Sequence, residues 1–326
     1  MKKITAALIA IMLAAVTLLG AGCGSAKKEE AKTTAEAPKV IRIGAVPSTS
    51  YAPFWVAKDL GYLDEELKKV NYTYKLESFS IGSVVKDAFV SGNLDMGIMG
   101  EFAAIVGKAN GVDYNIVANV TTNTEGRGLL IRADNPAKSI ADLKGQRVAA
   151  TKSSSHHLVF IDLIREAGMK LDDVQFIHMT DEDGVTALLR GDVAGVCVSD
   201  PILTRVAESG DGKIIGYGPG ASMWVATGET VKNNPEAVKA VLAACQRADD
   251  YMNTHPKESA QIVLKYVKKL KPELAEQILG KYTMITELRP SDVEFMSNTA
   301  KEMYDIGVIP NKVDNAEFVI TNFTKK

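Results

Sequence analysis

Cysteine, tryptophan and histidine are scarce in this chain of 326 residues, at three, two and four copies. Three cysteines give no disulfide framework. Cys197 lies in an apolar stretch and Cys245 on an apolar helix face, so both read as buried small hydrophobes. A bridge between them stays open but has no spacing signal behind it. His156 and His157 are adjacent, so on a helix they diverge by about 100° and cannot face one metal together. Neither His178 nor His255 supplies a metal-ligand spacing. No Gly-x-Gly-x-x-Gly or Gly-Lys-Ser/Thr run is present, which removes the nucleotide fingerprints, and no Gly-x-Ser-x-Gly elbow is present either. Charge of one sign is also missing. Thirty-eight basic residues meet 40 acidic ones, net −2, with no long basic patch, so nucleic acid is not an expected partner. No cofactor or metal is expected.

What is present begins with an address. Lys2 and Lys3 precede an apolar run over 4–19 broken only by Thr5 and Thr17. A run this short with these flanks reads as an export signal and not as a spanning helix. Gly20, Ala21 and Gly22 then lead into Cys23. This ending resembles the bacterial lipoprotein cleavage box, in which the cysteine becomes the lipidated first residue, although Gly20 stands where leucine is usual. Ordinary secretion with cleavage nearby is the alternative. Residues 24–39 hold no aromatic or branched apolar side chain and read as a flexible tether. About 287 residues remain, enough for two domains. Loss of Lys2 and Lys3 lowers the net charge to about −4.

The folded part opens with an apolar strand over 40–46, a hydroxyl turn of Ser48, Thr49 and Ser50, and a helix with Pro53 in its first turn. Strands and helices then alternate at the spacing of parallel α/β units. Strands are expected at 72–79, 96–99 and 114–120, with helices between them, the first ending at Gly61 and Tyr62. The polar, glycine-bearing segment 121–128 reads as a crossing into a second lobe. Strands follow at 129–132, 147–150, 174–178, 193–198 and 213–216, and a strand at 223–226 returns the chain to the first lobe. From Asn234, which caps a helix with Pro235 first, the pattern turns helical, with a Ser291–Glu294 capping box before the last long helix. This tail is expected to brace the first lobe.

Two features point to a binding site. A second hydroxyl cluster, Ser153, Ser154 and Ser155, follows the strand 147–150 and opens a helix, as Ser48–Ser50 do earlier. Free helix amides and hydroxyls at such starts favour an anion, although plain capping explains either cluster alone. The second feature is an internal echo. V-V-K-D-A-F-V-S-G-N-L-D-M-G-I-M-G-E from Val84 resembles V-T-A-L-L-R-G-D-V-A-G-V-C-V-S-D from Val185. In each, a helix ends at glycine, a buried strand follows, and an acid, Glu101 or Asp200, stands at the strand's end. Ligands of open parallel sheets lie beyond the carboxyl ends of the strands. Asp200 is a natural partner for a ligand amine, or else caps the helix that Pro201 starts. Trp224 either lines the cleft or fills the core, His156 either donates to a ligand or merely starts a helix, and Thr121, Thr122 and Asn123 lie within reach at the crossover.

These residues carry a resemblance. Y-A-P-F-W-V-A-K-D-L-G-Y-L from Tyr51, F-V-S-G-N-L-D-M-G from Phe89, D-L-K-G-Q-R-V-A from Asp142 and L-L-R-G-D-V-A-G-V-C-V-S-D-P from Leu188 resemble the substrate-binding components of ABC importers. The similar group is the nitrate, taurine and alkanesulfonate binders, with the thiamine-precursor binders. It implies an α/β, two-lobed periplasmic-binding-protein fold of type II. Each lobe is then a mostly parallel sheet flanked by helices, with a two-strand hinge. Implied boundaries are 1–22 signal peptide, 23–39 tether, 40–122 plus 226–326 lobe 1, and 123–225 lobe 2. Implied ligand contacts are Ser48, Thr49, Ser50, Tyr51, Glu101, Phe102, the Ser153–His156 turn and Asp200. The implied chain is a monomer outside the cytoplasm, anchored to the membrane through lipidated Cys23. It delivers a small anion or zwitterion to a permease and its ATPase. Asp200 tilts the expectation toward a sulfonate or taurine-like solute bearing a donor. Nitrate, bicarbonate, a thiamine-precursor pyrimidine, or an enzyme acting on a small carboxylic acid are the alternatives.

Overall fold

Val40 to Ala45 carry the branched and small apolar side chains that suit a strand buried on both faces, and they form most of β1 (Lys39–Ala45), whose last residues are buried. The computed structural model describes residues 36–324 except 81, 153 and 269, with the side chains of 82 and 83 also left aside. Beyond β1 the strands are β2 (Tyr72–Ser78), β3 (Met96–Gly100), β4 (Tyr114–Asn123), β5 (Arg127–Arg132), β6 (Arg147–Ala150), β7 (Gln175–His178), β8 (Gly195–Ser199), β9 (Gly212–Tyr217), β10 (Gly220–Thr227) and β11 (Tyr282–Met284). They form two sheets, ordered β11-β4-β10-β3-β1-β2 and β7-β6-β8-β5-β9.

The two sheets are built alike. β1 pairs in parallel with β2 and β3, and β6 pairs in parallel with β7 and β8. In each sheet an interior strand runs against its two neighbours, and in the first the short edge strand β11 is reversed as well. The interior strand is β10 in the first, between β3 and β4, and β5 in the second, between β8 and β9. These two are the strands that the chain enters directly on changing sheets. The crossings fall at 124–126 and 218–219. The second crossing is earlier than the sequence alone indicates, because β10 pairs with β4 from Gly220 onward. Thr121 to Asn123 likewise belong to β4 and not to a loop.

The internal echo now has a structural meaning. β3 and β8 occupy the same place in their sheets, each between the parallel neighbour and the reversed strand. The turns before them hold Gly92 and Gly191 in the left-handed conformation, at φ of 68° and 82°. Equivalent sequence sits at equivalent sites.

Four local expectations change. The opening helix ends before Gly61, as expected, but Gly61, at φ 77°, also begins a second helix, Tyr62–Lys69, whose Leu63 and Leu67 are buried one turn apart. β11 has no strand signal of its own and is held by pairing with β4. At the start of the helix Pro290–Asp305 it is Asp292 that accepts from Arg289 N, at 2.8 Å, in place of the expected Ser291–Glu294 box, because Pro290 takes the first helical position. Asn234 stands at the expected cap, yet its side chain accepts from the Tyr72 hydroxyl at 2.7 Å.

Four tail helices, Pro235–Thr254, Pro256–Tyr266, Pro272–Leu279 and Pro290–Asp305, each start on proline. The first three pack into one core with β1 and the helix Ala52–Asp59, where Tyr266 stacks on Trp55 with ring centroids 4.7 Å apart. The same tail also reaches the second sheet. Arg165 pairs with Glu302, and Gln277 donates to Glu208 at 3.3 Å. Cys197 and Cys245 are free, buried thiols, and burial pushes both pKa values up.

Candidate functional site

β1 and β6 are equivalent strands, and each delivers the chain to a hydroxyl-capped helix start. After β1, Ser48 caps the turn Thr49–Tyr51, its Oγ accepting from Ser50 N at 3.3 Å and meeting Ser50 Oγ at 2.9 Å. After β6, Ser154 caps the helix Ser155–Glu166, its Oγ accepting from His156 N at 3.2 Å and donating to the Thr151 carbonyl at 2.6 Å. Ser153 lies outside the described residues. The neighbouring strands β3 and β8 end at Glu101 and Asp200.

A circuit of contacts joins these four strand ends. Thr49 Oγ1 lies 3.5 Å from the Tyr282 hydroxyl. Beside Tyr282, Lys281 donates to Asp200 Oδ2 at 3.3 Å and to Thr204 Oγ1 at 2.6 Å. Beside Asp200, Ser199 Oγ meets His156 Nε2 at 3.0 Å, and His156 Nδ1 stands 2.9 Å from Asp181 Oδ1. The next residue, His157, lies with its ring centroid 6.3 Å from that of Phe102. Beside Phe102, Glu101 accepts from Arg127 Nη1 at 2.5 Å. Arg127 and Glu101 both act electrostatically on Tyr51, whose phenol burial pushes upward. Thr121 closes the circuit by donating to the Ser50 carbonyl at 2.9 Å.

The structure therefore brings Ser48, Thr49, Ser50, Tyr51, Glu101, Phe102, Ser154, His156 and Asp200 onto one circuit, with Ser155 opening its helix beside them. It does not treat them equally. Ser48, Ser50, Ser154, Ser155 and His156 keep partial exposure, whereas Thr49, Glu101 and Phe102 are buried completely. Trp224 is also fully buried, inside the first lobe's core and edge-on to Phe54 at 5.5 Å. Successive strand residues face opposite sides, so Thr122, half-buried, turns away from the face where Thr121 meets Ser50.

Both acids are occupied. Glu101 Oε2 accepts from Ala221 N at 3.2 Å while Arg127 holds the other oxygen. Arg127 Nη2 in turn donates to the Ala221 carbonyl at 3.3 Å. Room for the guanidinium comes from Gly220, where a Cβ would lie 2.4 Å from Arg127 Cζ. Asp200 Oδ1 accepts from Thr204 N at 2.9 Å, so it caps the following helix, and its Oδ2 receives Lys281. A ligand amine at Asp200 would have to compete with Lys281.

Arg127, Ser199, Lys281 and Tyr282 belong to this circuit, and sequence reasoning passed over all four. Arg127 had one usable signal. A lone arginine beside Gly126 and Gly128 at a lobe crossing, facing an acid at the end of a buried strand, is a charge that needs a partner. Lys281 and Tyr282 had none, because their partners lie 81 and 233 residues away. Among the described residues no group of three or more His, Cys, Asp or Glu side chains is placed to hold a metal. No helix among them is long and apolar enough to cross a membrane.

The NMT1-like family model matches residues 34–268 of this chain. A putative aliphatic sulfonates-binding protein of Escherichia coli K12 is 26% identical over 243 residues, covering 72% of this chain and 76% of that one. A protein of the same description from Bacillus subtilis 168 is 24% identical over 323 residues, covering 97% and 95%. Among solved structures, the periplasmic aliphatic sulphonate binding protein of Escherichia coli superposes with a TM-score of 0.79 at 24% identity, covering 88% of this chain and 99% of that one. The two-lobed type II periplasmic-binding-protein fold is shared with it.

Proposed function

Because this chain belongs to the NMT1-like family, we propose that it is the extracytoplasmic solute-binding component of an ABC importer, taking a small organic oxyanion of the sulfonate kind. One observation carries this. Two hydroxyl-capped helix starts stand at equivalent strand ends of two equivalent sheets and are tied into one circuit. Each start presents backbone N–H groups and a positive helix end, a combination that binds anions and not cations. Hydrogen bonds to a charged group contribute about 1.5–3 kcal/mol each, and a handful reaches the roughly 8 kcal/mol of micromolar affinity. Ser48, Ser50, Ser154, Ser155 and His156, which keep partial exposure, are the proposed direct contacts, with Thr49, Tyr51, Glu101, Phe102 and Asp200 shaping their surroundings. The sulfonate-binding descriptions of the relatives support the choice of anion.

The chain acts in this proposal by clasping its solute between the lobes and handing it to a permease, with no chemistry of its own. Cys23, outside the described residues, is the proposed lipid anchor. Detergent phase partition decides that point: the full chain should enter the detergent phase, and Cys23→Ala should stay in the aqueous one.

The binding proposal is tested by thermal unfolding of the exported form with methanesulfonate, ethanesulfonate, benzenesulfonate, nitrate, bicarbonate and a hydroxymethylpyrimidine. A ligand at a hundred times its Kd stabilises the native state by about 2.7 kcal/mol. A rise in Tm with sulfonates is the expected result. A rise with nitrate or the pyrimidine and none with any sulfonate would overturn the proposal.

A further inference from the structure

We infer that Asp181, His156 and Ser199 act as one relay on the bound oxyanion. Asp181 holds a charged His156 in place, and His156 turns the Ser199 hydroxyl toward the ligand as a donor. Seating a sulfonate above the pH at which the empty site holds that charge therefore takes up a proton from solution. This rests on the sulfonate proposal above and deepens it, adding Asp181 as a positioning residue and Ser199 as a contact.

The three groups come from three elements. His156 lies in the first turn of the helix after β6, Ser199 ends β8, and Asp181 opens the helix Asp181–Arg190. His156 Nδ1 stands 2.9 Å from Asp181 Oδ1, and His156 Nε2 meets Ser199 Oγ at 3.0 Å. A bare ring nitrogen that close to a carboxylate would set a lone pair against a negative charge, so Nδ1 carries a hydrogen. The approach lies off the N–H line, and Asp181 acts on the ring chiefly through its charge. Two states remain. With Nε2 bare, Ser199 donates to it and shows the ligand only lone pairs. With Nε2 protonated, the ring donates to Ser199 Oγ, and the hydroxyl hydrogen can point at an oxyanion. Only the second state suits an anion. Acid, imidazole and hydroxyl in this order also build serine nucleophiles, where the ring takes the hydroxyl proton. An anion in front reverses that polarity.

The surroundings favour the charged ring. Among the described residues no lysine or arginine pairs with Asp181, so a neutral His156 leaves this carboxylate unmatched. Burial works to raise the Asp181 pKa, but the charge of His156 beside it and the Thr151 hydroxyl at 3.1 Å hold the carboxyl below its ordinary range. The other charged and titratable groups nearby are matched, neutral or in water. His178 Nδ1 accepts from Lys152 N at 3.0 Å, and Lys152 is exposed. Burial keeps the next ring, His157, neutral, its pKa lowered to about 4, and keeps the Cys197 thiol protonated. Arg127, opposite Ser199 where β5 pairs with β8, is held by Glu101, and Asp200 is held by Lys281.

A sulfonate stays anionic throughout, so any proton taken up belongs to the protein. A bound anion about 5 Å from an imidazolium tightens its hold on a proton by about tenfold or more, and the linkage is reciprocal. Calorimetric titration of ethanesulfonate from about pH 6 to about pH 9 should show affinity falling by about tenfold or more as pH rises. On the falling limb, heats in Tris and in triethanolamine, oxyanion-free buffers of different ionisation enthalpy, should count up to about one proton per sulfonate. His156→Gln cannot change charge and should flatten the profile and abolish the uptake. Asp181→Asn, near in shape but uncharged, should move the fall to lower pH, which a merely structural role does not do. A flat profile without uptake in the natural chain overturns the inference and leaves the sulfonate proposal standing. Uptake that persists in His156→Gln, or a profile unmoved by Asp181→Asn, assigns the proton to another group and overturns it too. With four histidines in the chain, ring NMR signals with and without ethanesulfonate read the same proton if a variant fails to fold. An unmoved His156 titration there is equally fatal. No binding at any pH sinks the sulfonate proposal and this inference with it.

Discussion

Removing Arg127 should be among the most damaging single changes available in this chain. Its guanidinium and the Glu101 carboxylate are in contact at 2.5 Å, with side-chain exposures of 7% and 0%. At about 4 Å between charge centres and an effective permittivity near 20, such a pair attracts by roughly 4 kcal/mol. That attraction balances the desolvation of both ions, so the intact pair adds little net stability, while breaking it strands a charge. Arg127→Met should therefore cost about 3–5 kcal/mol, because Glu101 keeps only its bond from Ala221 N. Glu101→Gln should cost a similar amount by stranding Arg127. The double variant should lose far less than the sum, giving a coupling of about 3 kcal/mol in a double-mutant cycle. Urea unfolding of the four proteins, read by tryptophan fluorescence, measures all the terms. Arg127→Met within about 1 kcal/mol of the parent, or additive losses, would show that the pair is exposed to water or is not formed.

Three further outcomes follow from the same geometry. Gly220→Ala should cost about 1–3 kcal/mol by driving its methyl against Arg127 Cζ, and should cost clearly less in an Arg127→Met background, which urea unfolding of both pairs will check. Burial pushes the pKa of Asp162 and of Asp249 up to about 7. The unfolded chain ionises these groups near pH 4, so the contribution of these two groups to stability should be full below that pH, fall as pH rises from about 4 to about 7, and level off above. Asp249→Asn should flatten part of this slope in urea midpoints taken between pH 5 and pH 8, and an unaltered slope would count against the buried, protonated form. Ser154→Ala removes the cap on His156 N and should lower stability by about 1 kcal/mol. It should also weaken a bound sulfonate by calorimetry, and stability loss with full affinity would remove Ser154 from the proposed contacts.

The architecture was legible because its signals are local. The apolar run of β1, the proline that opens the helix Pro235–Thr254 and the glycine turns before β3 and β8 each act within a few residues. The repeat from Val84 to Glu101 and from Val185 to Asp200 marks a buried strand in each copy, and these strands hold equivalent places in the two sheets. The two hydroxyl clusters were legible for the same reason, since a cap is a relation between residues two or three apart. Elements that exist only through a distant partner were not. β11 is a strand because β4 lies beside it, and the helix Tyr62–Lys69, which follows directly on Gly61, depends on burial of Leu63 and Leu67.

The same division separates the two halves of the site's electrostatics. Its acids stand at strand ends, where topology puts them, and so Glu101 and Asp200 could be found by their place in the repeat. Its cations arrive from elsewhere: Arg127 from the first residue of a crossing strand, and Lys281 from a helical tail that follows both lobes in sequence. A chain read from one end to the other therefore shows unmatched carboxylates and invites a cationic ligand group. Folding supplies the missing charges for Glu101 and Asp200 from inside. Both cations also join parts of the molecule that must move if the lobes part, since Arg127 links β5 to Glu101 and Lys281 links β11 to Asp200. Neutralising two buried acids and attaching one lobe to the other are then two consequences of the same pairs. Lys281→Gln should therefore free Asp200 and remove one tie between the lobes at once.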